Sequence, residues 1–183
     1  KILIILYFYL CTLSFFNSPL FAQSALENNE SSAVIIMYHR FGEDSFPSTN
    51  IKINQFEEHL NYLINNNFNV MRLEDIASAI SRGEKLPNKT VGITIDDAYQ
   101  SVYHKAWPRL IKANFPFTLF VNTNAIDNNY SSMMTWEQIN EMYKAGVSIG
   151  NHSASHGHLA KKDVSEWKKE ISSAQNRLYE ELG

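Results

Sequence analysis

The sequence predicts an α/β domain built on a parallel sheet or barrel. Short β-branched runs alternate with helical patterns across residues 33–183, the order in which parallel strands are joined by crossover helices. Two of those runs deliver polar chemistry at their C-terminal ends. Residues 91–95 (VGITI) lead into Asp96 and Asp97, and residues 147–151 (VSIGN) lead into His152, Ser153, Ala154, Ser155 and His156. In parallel strands both ends lie on one rim, where α/β proteins place their sites.

Each element follows from local pattern. Residues 33–38 (AVIIMY) read as a buried first strand ending at His39 and Arg40, and residues 41–53 as loop because Gly42, Pro47 and Ser48 interrupt them. Asn54 is the candidate cap of a helix on which Phe56, Leu60, Leu63 and Ile64 recur at helical spacing. A short strand over 68–71 and a helix over 73–81 come next, and Gly83 and Pro87 mark the route into the 91–95 strand. Pro108 suits the first turn of a helix through Leu110 and Ile111, and residues 115–122 (FPFTLFVN) form the clearest buried strand. Thr135 and Gln138 have capping-box spacing for a helix that Gly146 ends, and residues 164–182 form a long amphipathic helix.

The length of 183 residues, 44% of them hydrophobic, suffices for one domain with a full core. A net charge of −3 without a lysine or arginine cluster gives a nucleic-acid partner no electrostatic support. Residues 2–22 carry no charge, follow Lys1, and run from an apolar stretch through Asn17, Ser18 and Pro19 to Ala22. That is the form of a cleavable signal peptide, with residues 23–32 as a polar linker and 33–183 as the domain. An uncleaved anchor is the rival reading, and the early polar break favours cleavage. Membrane contact is then expected only through the leader if it is retained. The expected location is outside the cytoplasmic membrane: periplasmic, cell-envelope or secreted. Cys11, the one cysteine, lies in this leader, so disulfides and thiol catalysis are excluded from the mature domain. Metal or carboxylate chemistry remains.

Paired carboxylates at a strand end can be a solvated turn, and histidines at i and i+4 are common. Both at the ends of buried strands in one domain point further. One carboxylate and two imidazoles make the three-ligand set of a catalytic zinc-type centre, which leaves a position for water. The second carboxylate is then free to act as a base. Neighbouring strand residues point to opposite faces, so both aspartates share a site only if the chain turns directly after Ile95, with Ala98 small enough for the turn.

Residues 93–99 (ITIDDAY) resemble the first motif of the polysaccharide deacetylase family, the NodB-homology or carbohydrate esterase 4 group. Residues 149–156 (IGNHSASH) resemble its second, H-[ST]-x-x-H. The Met37, Tyr38, His39 opening and the strand at 117–121 are similar to members as well. The resemblance implies a distorted (β/α) barrel, Asp97, His152 and His156 as metal ligands, and Asp96 as catalytic base. It further implies one divalent ion, Zn2+ with Co2+ or Ni2+ as alternatives, and water attack on an N-acetyl carbonyl with release of acetate. Ala98 stands where the family usually has glycine. The family's base-orienting arginine and its proton-donating histidine are expected beyond Gly183, so the chain is read as a fragment whose barrel is incomplete at its C-terminal side.

His39 and Tyr99 are candidates for substrate contact or for support of the ligands. His158 competes with His156, but the motif spacing favours His156. His59 and His104 are expected to be ordinary surface or packing residues, and the three tryptophans to pack helices on the sheet. The leading function is hydrolysis of N-acetyl groups on an exported or cell-wall N-acetylhexosamine polysaccharide. The alternatives are a small-amide hydrolase with the same site and a glycan-binding relative without catalysis.

Overall fold

The computed structural model describes residues 32–183. The predicted leader and most of the linker lie outside the described residues. Strands β1 (Ala33–Tyr38), β4 (Asn69–Met71), β5 (Thr90–Asp96), β6 (Thr118–Val121) and β7 (Ser148–Asn151) form one all-parallel sheet. Along its length β5 pairs with β1 on one side. Its other side is shared by β4, against Thr90 to Gly92, and β6, against Thr94 to Asp96. Every residue of β5 is buried, which accounts for its continuous apolar reading.

Helices α1 (Ile53–Asn65), α2 (Leu73–Ser81), α3 (Trp107–Ala113), α4 (Thr123–Asp127) and α5 (Trp136–Lys144) lie in the crossovers, and α6 (Val164–Leu182) follows β7. The main core joins Phe56, Leu60 and Leu63 of α1 to Ile93, Ile95 and Leu119 of the sheet, with Ile139, Met142 and Leu178 from α5 and α6. A smaller cluster of Ile76, Ala79 and Leu86 sits under α2. Among the described residues, no helix is long and apolar enough to cross a membrane.

The structure differs from these expectations at five points. Strand β1 is not buried throughout: Val34, Ile35 and Met37 are exposed, because among the described residues β1 has a strand neighbour on one side only. The 41–53 segment is not all loop, since β2 (Arg40–Phe41) and β3 (Asn50–Ile51) pair in parallel. Lys52, not Asn54, precedes α1, and its N–H donates to Gln55 Oε1 at 3.4 Å. A π-helical turn over Val102–Ala106, unmarked by the sequence pattern, leads into α3. Of the tryptophans, Trp107 and Trp136 pack on the core, whereas Trp167 is exposed.

One glycine matters for the site. Gly150 of β7 lies opposite Phe120 of β6, and a β-carbon there would stand 2.5 Å from two carbons of the Phe120 ring. Glycine therefore lets this aromatic ring lie over the adjacent strand.

Candidate active site

The C-terminal ends of β1, β5, β6 and β7 carry His39, Asp96 with Asp97, Asn122 and His152, all on one rim of the parallel sheet. Pairing of β5 continues one residue beyond the expected point, through Asp96 opposite Phe120. The turn then comes at Asp97 (φ 73°) and Ala98 (φ 56°), and the Asp97 N–H donates to Phe120 O at 3.0 Å. Asp96 thus faces the rim from the strand and Asp97 from the turn.

The second loop is built the same way. His152 N–H donates to Val121 O at 3.0 Å, and Ser153 (φ 61°) reverses the chain. Ser153 Oγ accepts from His156 N–H at 3.1 Å, which returns the second imidazole (φ 56°) toward the first. The loop is anchored to the start of α4 by Asn124 N–H on Ala154 O at 3.0 Å.

These two loops bring three donors together. His152 Nε2 and His156 Nε2 each lie 3.4 Å from Asp97 Oδ1. The three ligand atoms fall within 4.8 Å of one another. Donors bound about 2.05 Å from a tetrahedral ion stand about 3.3 Å apart, so this spacing fits a divalent metal. The set of one carboxylate and two imidazoles fits a zinc-type ion by chemistry as well. His158 is not part of the group and instead precedes a short 3-10 turn, Leu159–Lys161.

Asp96 stays outside the triad, with Oδ2 4.0 Å from His39 Nε2. Burial pushes the Asp96 carboxyl up, against the opposing pull of His152 and His39. Burial acts on Asp97 too, but the His152 hydrogen bond, the charges of His156 and His152, and Tyr99 outweigh it and hold that carboxyl down. The Asp97 hydrogen bond raises His152 above the usual histidine range. Two adjacent carboxyls are therefore pushed in opposite directions, Asp96 up and Asp97 down.

Each sequence-predicted residue is at this rim: Asp96, Asp97, His152, His156, His39 and Tyr99. Two further groups escaped the sequence reading. Asn122, 5% exposed, donates from Nδ2 to Asp97 Oδ1 at 3.1 Å. Its signal was a position directly after a strand, which it shares with His39, Asp97 and His152. Arg40 is buried with its guanidinium 3.4 Å from the Tyr99 ring centroid and 2.7 Å from Glu43 Oε2. Beside the triad opens a cavity of about 420 Å³ lined by Arg40, Tyr99, Asn124, Asn128, Tyr130 and His156, among others. His59 and His104 are exposed helix residues outside the site, His59 bonded to the Tyr38 hydroxyl and His104 edge-on to Tyr103.

The family model described as polysaccharide deacetylase matches residues 83–183, more than half of the chain. The chain belongs to the polysaccharide deacetylase family. The YxkH protein of Bacillus subtilis (strain 168) is 30% identical over 125 residues, 68% of this chain and 43% of that protein. A poly-beta-1,6-N-acetyl-D-glucosamine N-deacetylase of Staphylococcus aureus (strain MRSA252) is 25% identical over 158 residues, 76% of this chain and 54% of its own length. The solved structure of IcaB from Ammonifex degensii superposes with a TM-score of 0.74 at 28% identity, covering 84% of this chain and 71% of that one. The expected NodB-type fold is thus present in this deacetylase family member. The chain spans about half the length of the curated relatives it matches.

Proposed function

We propose that this chain carries the catalytic site of a metal-dependent N-deacetylase, a hydrolase of non-peptide carbon–nitrogen bonds. Its proposed substrate is an N-acetylhexosamine polymer outside the cytoplasm. The observation that carries the reading is the convergence of His152 and His156 on Asp97 with Asp96 free beside them. Asp97, His152 and His156 would hold one divalent ion, zinc by preference for this donor set. When bound, the ion supplies Lewis-acid polarisation of the acetyl carbonyl and acidification of water.

The residues of the chain do the rest. Asp96 takes the proton from the attacking water as its oxygen bonds to the carbonyl carbon. The C–N bond then breaks, acetate leaves, and the departing amine nitrogen takes a proton. That proton is the one Asp96 took from the water, and His39, 4.0 Å from Asp96 Oδ2, stands beside the base as a candidate for substrate contact. Asn122 fixes the Asp97 carboxylate, so the ligand oxygen does not swing toward Asp96. The neighbouring cavity, with Asn124, Asn128 and Tyr130 on its wall, offers the amides and the aromatic ring that a sugar residue needs. The relative from Staphylococcus aureus, named for poly-beta-1,6-N-acetyl-D-glucosamine, supports a β-linked N-acetylglucosamine chain as first substrate to test. The uncharged 2–22 stretch supports export.

The test is metal content and acetate release for Asp96→Asn, Asp97→Asn and His39→Ala. Asp97→Asn exchanges an anionic ligand for a neutral one and should lose the ion. Both Asp96→Asn and His39→Ala should keep it, and Asp96→Asn should lose turnover by about a hundredfold or more. Retention of the ion by Asp97→Asn and His152→Ala alike would refute the metal site.

A further inference from the structure

Helix α6 touches the histidine loop through a carboxylate that the deacetylation scheme does not use. Glu170 accepts two hydrogen bonds from one residue: Ser155 N–H on Oε2 at 2.8 Å and Ser155 Oγ–H on Oε1 at 2.7 Å. Lys162 Nζ lies 3.6 Å from Oε1, and the Glu170 side chain is 15% exposed. Ser155 immediately precedes His156. On the other side of the loop, Asn151, which immediately precedes His152, donates from Nδ2 to Ile171 O at 2.9 Å. Consecutive residues of α6 therefore hold the residue before each histidine.

The loop needs holding. Ser153 and His156 both have left-handed backbones without being glycine, a conformation that costs about 1–3 kcal/mol per residue and persists only where its surroundings over-determine it. The His156 side chain is 55% exposed, so packing does little to fix the ring. Its position is set through the backbone, by the Ser153 hydroxyl on one side and the Ser155–Glu170 pair on the other.

We infer that Glu170 is a positioning residue that sets metal affinity by clamping Ser155 and so aiming the His156 imidazole at the Asp97 oxygen. The inference rests on the reading of His156 as a ligand. Two charge-assisted bonds to one residue fix both its position and its rotation, which a single bond would not. Removal of groups that orient metal ligands lowers affinity about 10- to 100-fold, and that is the effect assigned to Glu170→Ala. Glu170→Gln keeps one acceptor and should fall between. Ser155→Ala keeps the N–H bond and loses the hydroxyl bond, so it should also fall between.

The experiment titrates zinc against a chromophoric chelator into the metal-free full chain and these variants, with His156→Ala as reference. Visible absorption of the cobalt-loaded forms reads ligand geometry, which a merely structural role of Glu170 would leave alone. The clamp predicts weaker zinc binding and an altered cobalt spectrum in Glu170→Ala, with both effects partial in Glu170→Gln and Ser155→Ala. Unchanged affinity in Glu170→Ala while His156→Ala binds poorly overturns the clamp and leaves the ligand set standing. Unchanged affinity in His156→Ala overturns the ligand reading, and the clamp with it. Should Glu170→Ala fail to fold by circular dichroism, Ser155→Ala decides: wild-type affinity and spectrum there overturn the inference.

Discussion

Gly150→Ala is the substitution through which packing should report on the site. The added β-carbon would lie 2.5 Å from Phe120 Cδ1 and Cε1 and 3.2 Å from Cγ. Ordinary carbon contacts begin at about 3.5 Å, so the ring must retreat by about 1 Å. Phe120 is half-buried and can swing, but its ring centroid stands 6.2 Å from that of His152. Overpacking of this kind costs about 1–3 kcal/mol. At about 2–4 °C per kcal/mol for a chain of this size, the melting temperature should fall by roughly 3–10 °C. Displacement of His152 should also weaken zinc binding by about tenfold.

The assay is thermal unfolding of the metal-free protein alongside zinc titration, in a cycle with Phe120→Leu. Shortening the ring removes the clash, so Gly150→Ala should be far milder in the Phe120→Leu background. An equal loss from Gly150→Ala in both backgrounds would refute the ring contact as its cause.

Two more outcomes follow from the same loops. Ala98→Gly should change stability by less than about 1 kcal/mol, because relief of a left-handed alanine, about 1–2 kcal/mol, is offset by loss of a fully buried methyl, about 0.8 kcal/mol. A loss beyond about 2 kcal/mol in urea unfolding would contradict the strain argument. In the metal-free protein, His152 is raised by its Asp97 bond, so its contribution is complete below its unfolded value of about 6.5 and lost as pH rises through the folded value. Asp97 is lowered, so its contribution is complete above about 3.9 and lost as pH falls through its folded value. The urea midpoint of metal-free wild type should exceed that of His152→Ala most between about pH 4 and 6.5 and converge toward it in alkali. A gap that widened above pH 8 would overturn the sign.

Periodicity alone recovers the long elements. Helices α2 and α6 fall on the residues that the apolar spacing marks, and the Thr135 capping box opens α5 with Gln138 N–H on Thr135 Oγ1 at 3.3 Å. Shorter features leave no period to read: β2 and β3 have two residues each, and α4 has five. The exposure of β1 was illegible for a different reason. An apolar run reports what a strand can bury, and only the pairing reports what covers it.

The site follows the same division. Asp96, Asp97, His152 and His156 are legible because parallel strands put their ends on one rim, so two motifs in sequence become one cluster in space. Asn122 has the same strand-end position, but an asparagine there reads as an ordinary start of a loop. Glu170 is fifteen residues from its partner Ser155 and sits on a helix whose charges look like a solvated face. What neither residue type nor spacing reveals is the strain. Asp97, Ala98, Ser153 and His156 all have left-handed backbones. Four non-glycine residues in that region, at about 1–3 kcal/mol each, need compensation from outside their own loops. Phe120 O, Asn122, Asn124 and Glu170 supply it as hydrogen bonds from β6, the start of α4 and α6. The spacing of Asp97, His152 and His156 is therefore held by the surrounding elements, and on the proposed ligand set those supporting residues are where substitutions should alter metal affinity without touching a ligand.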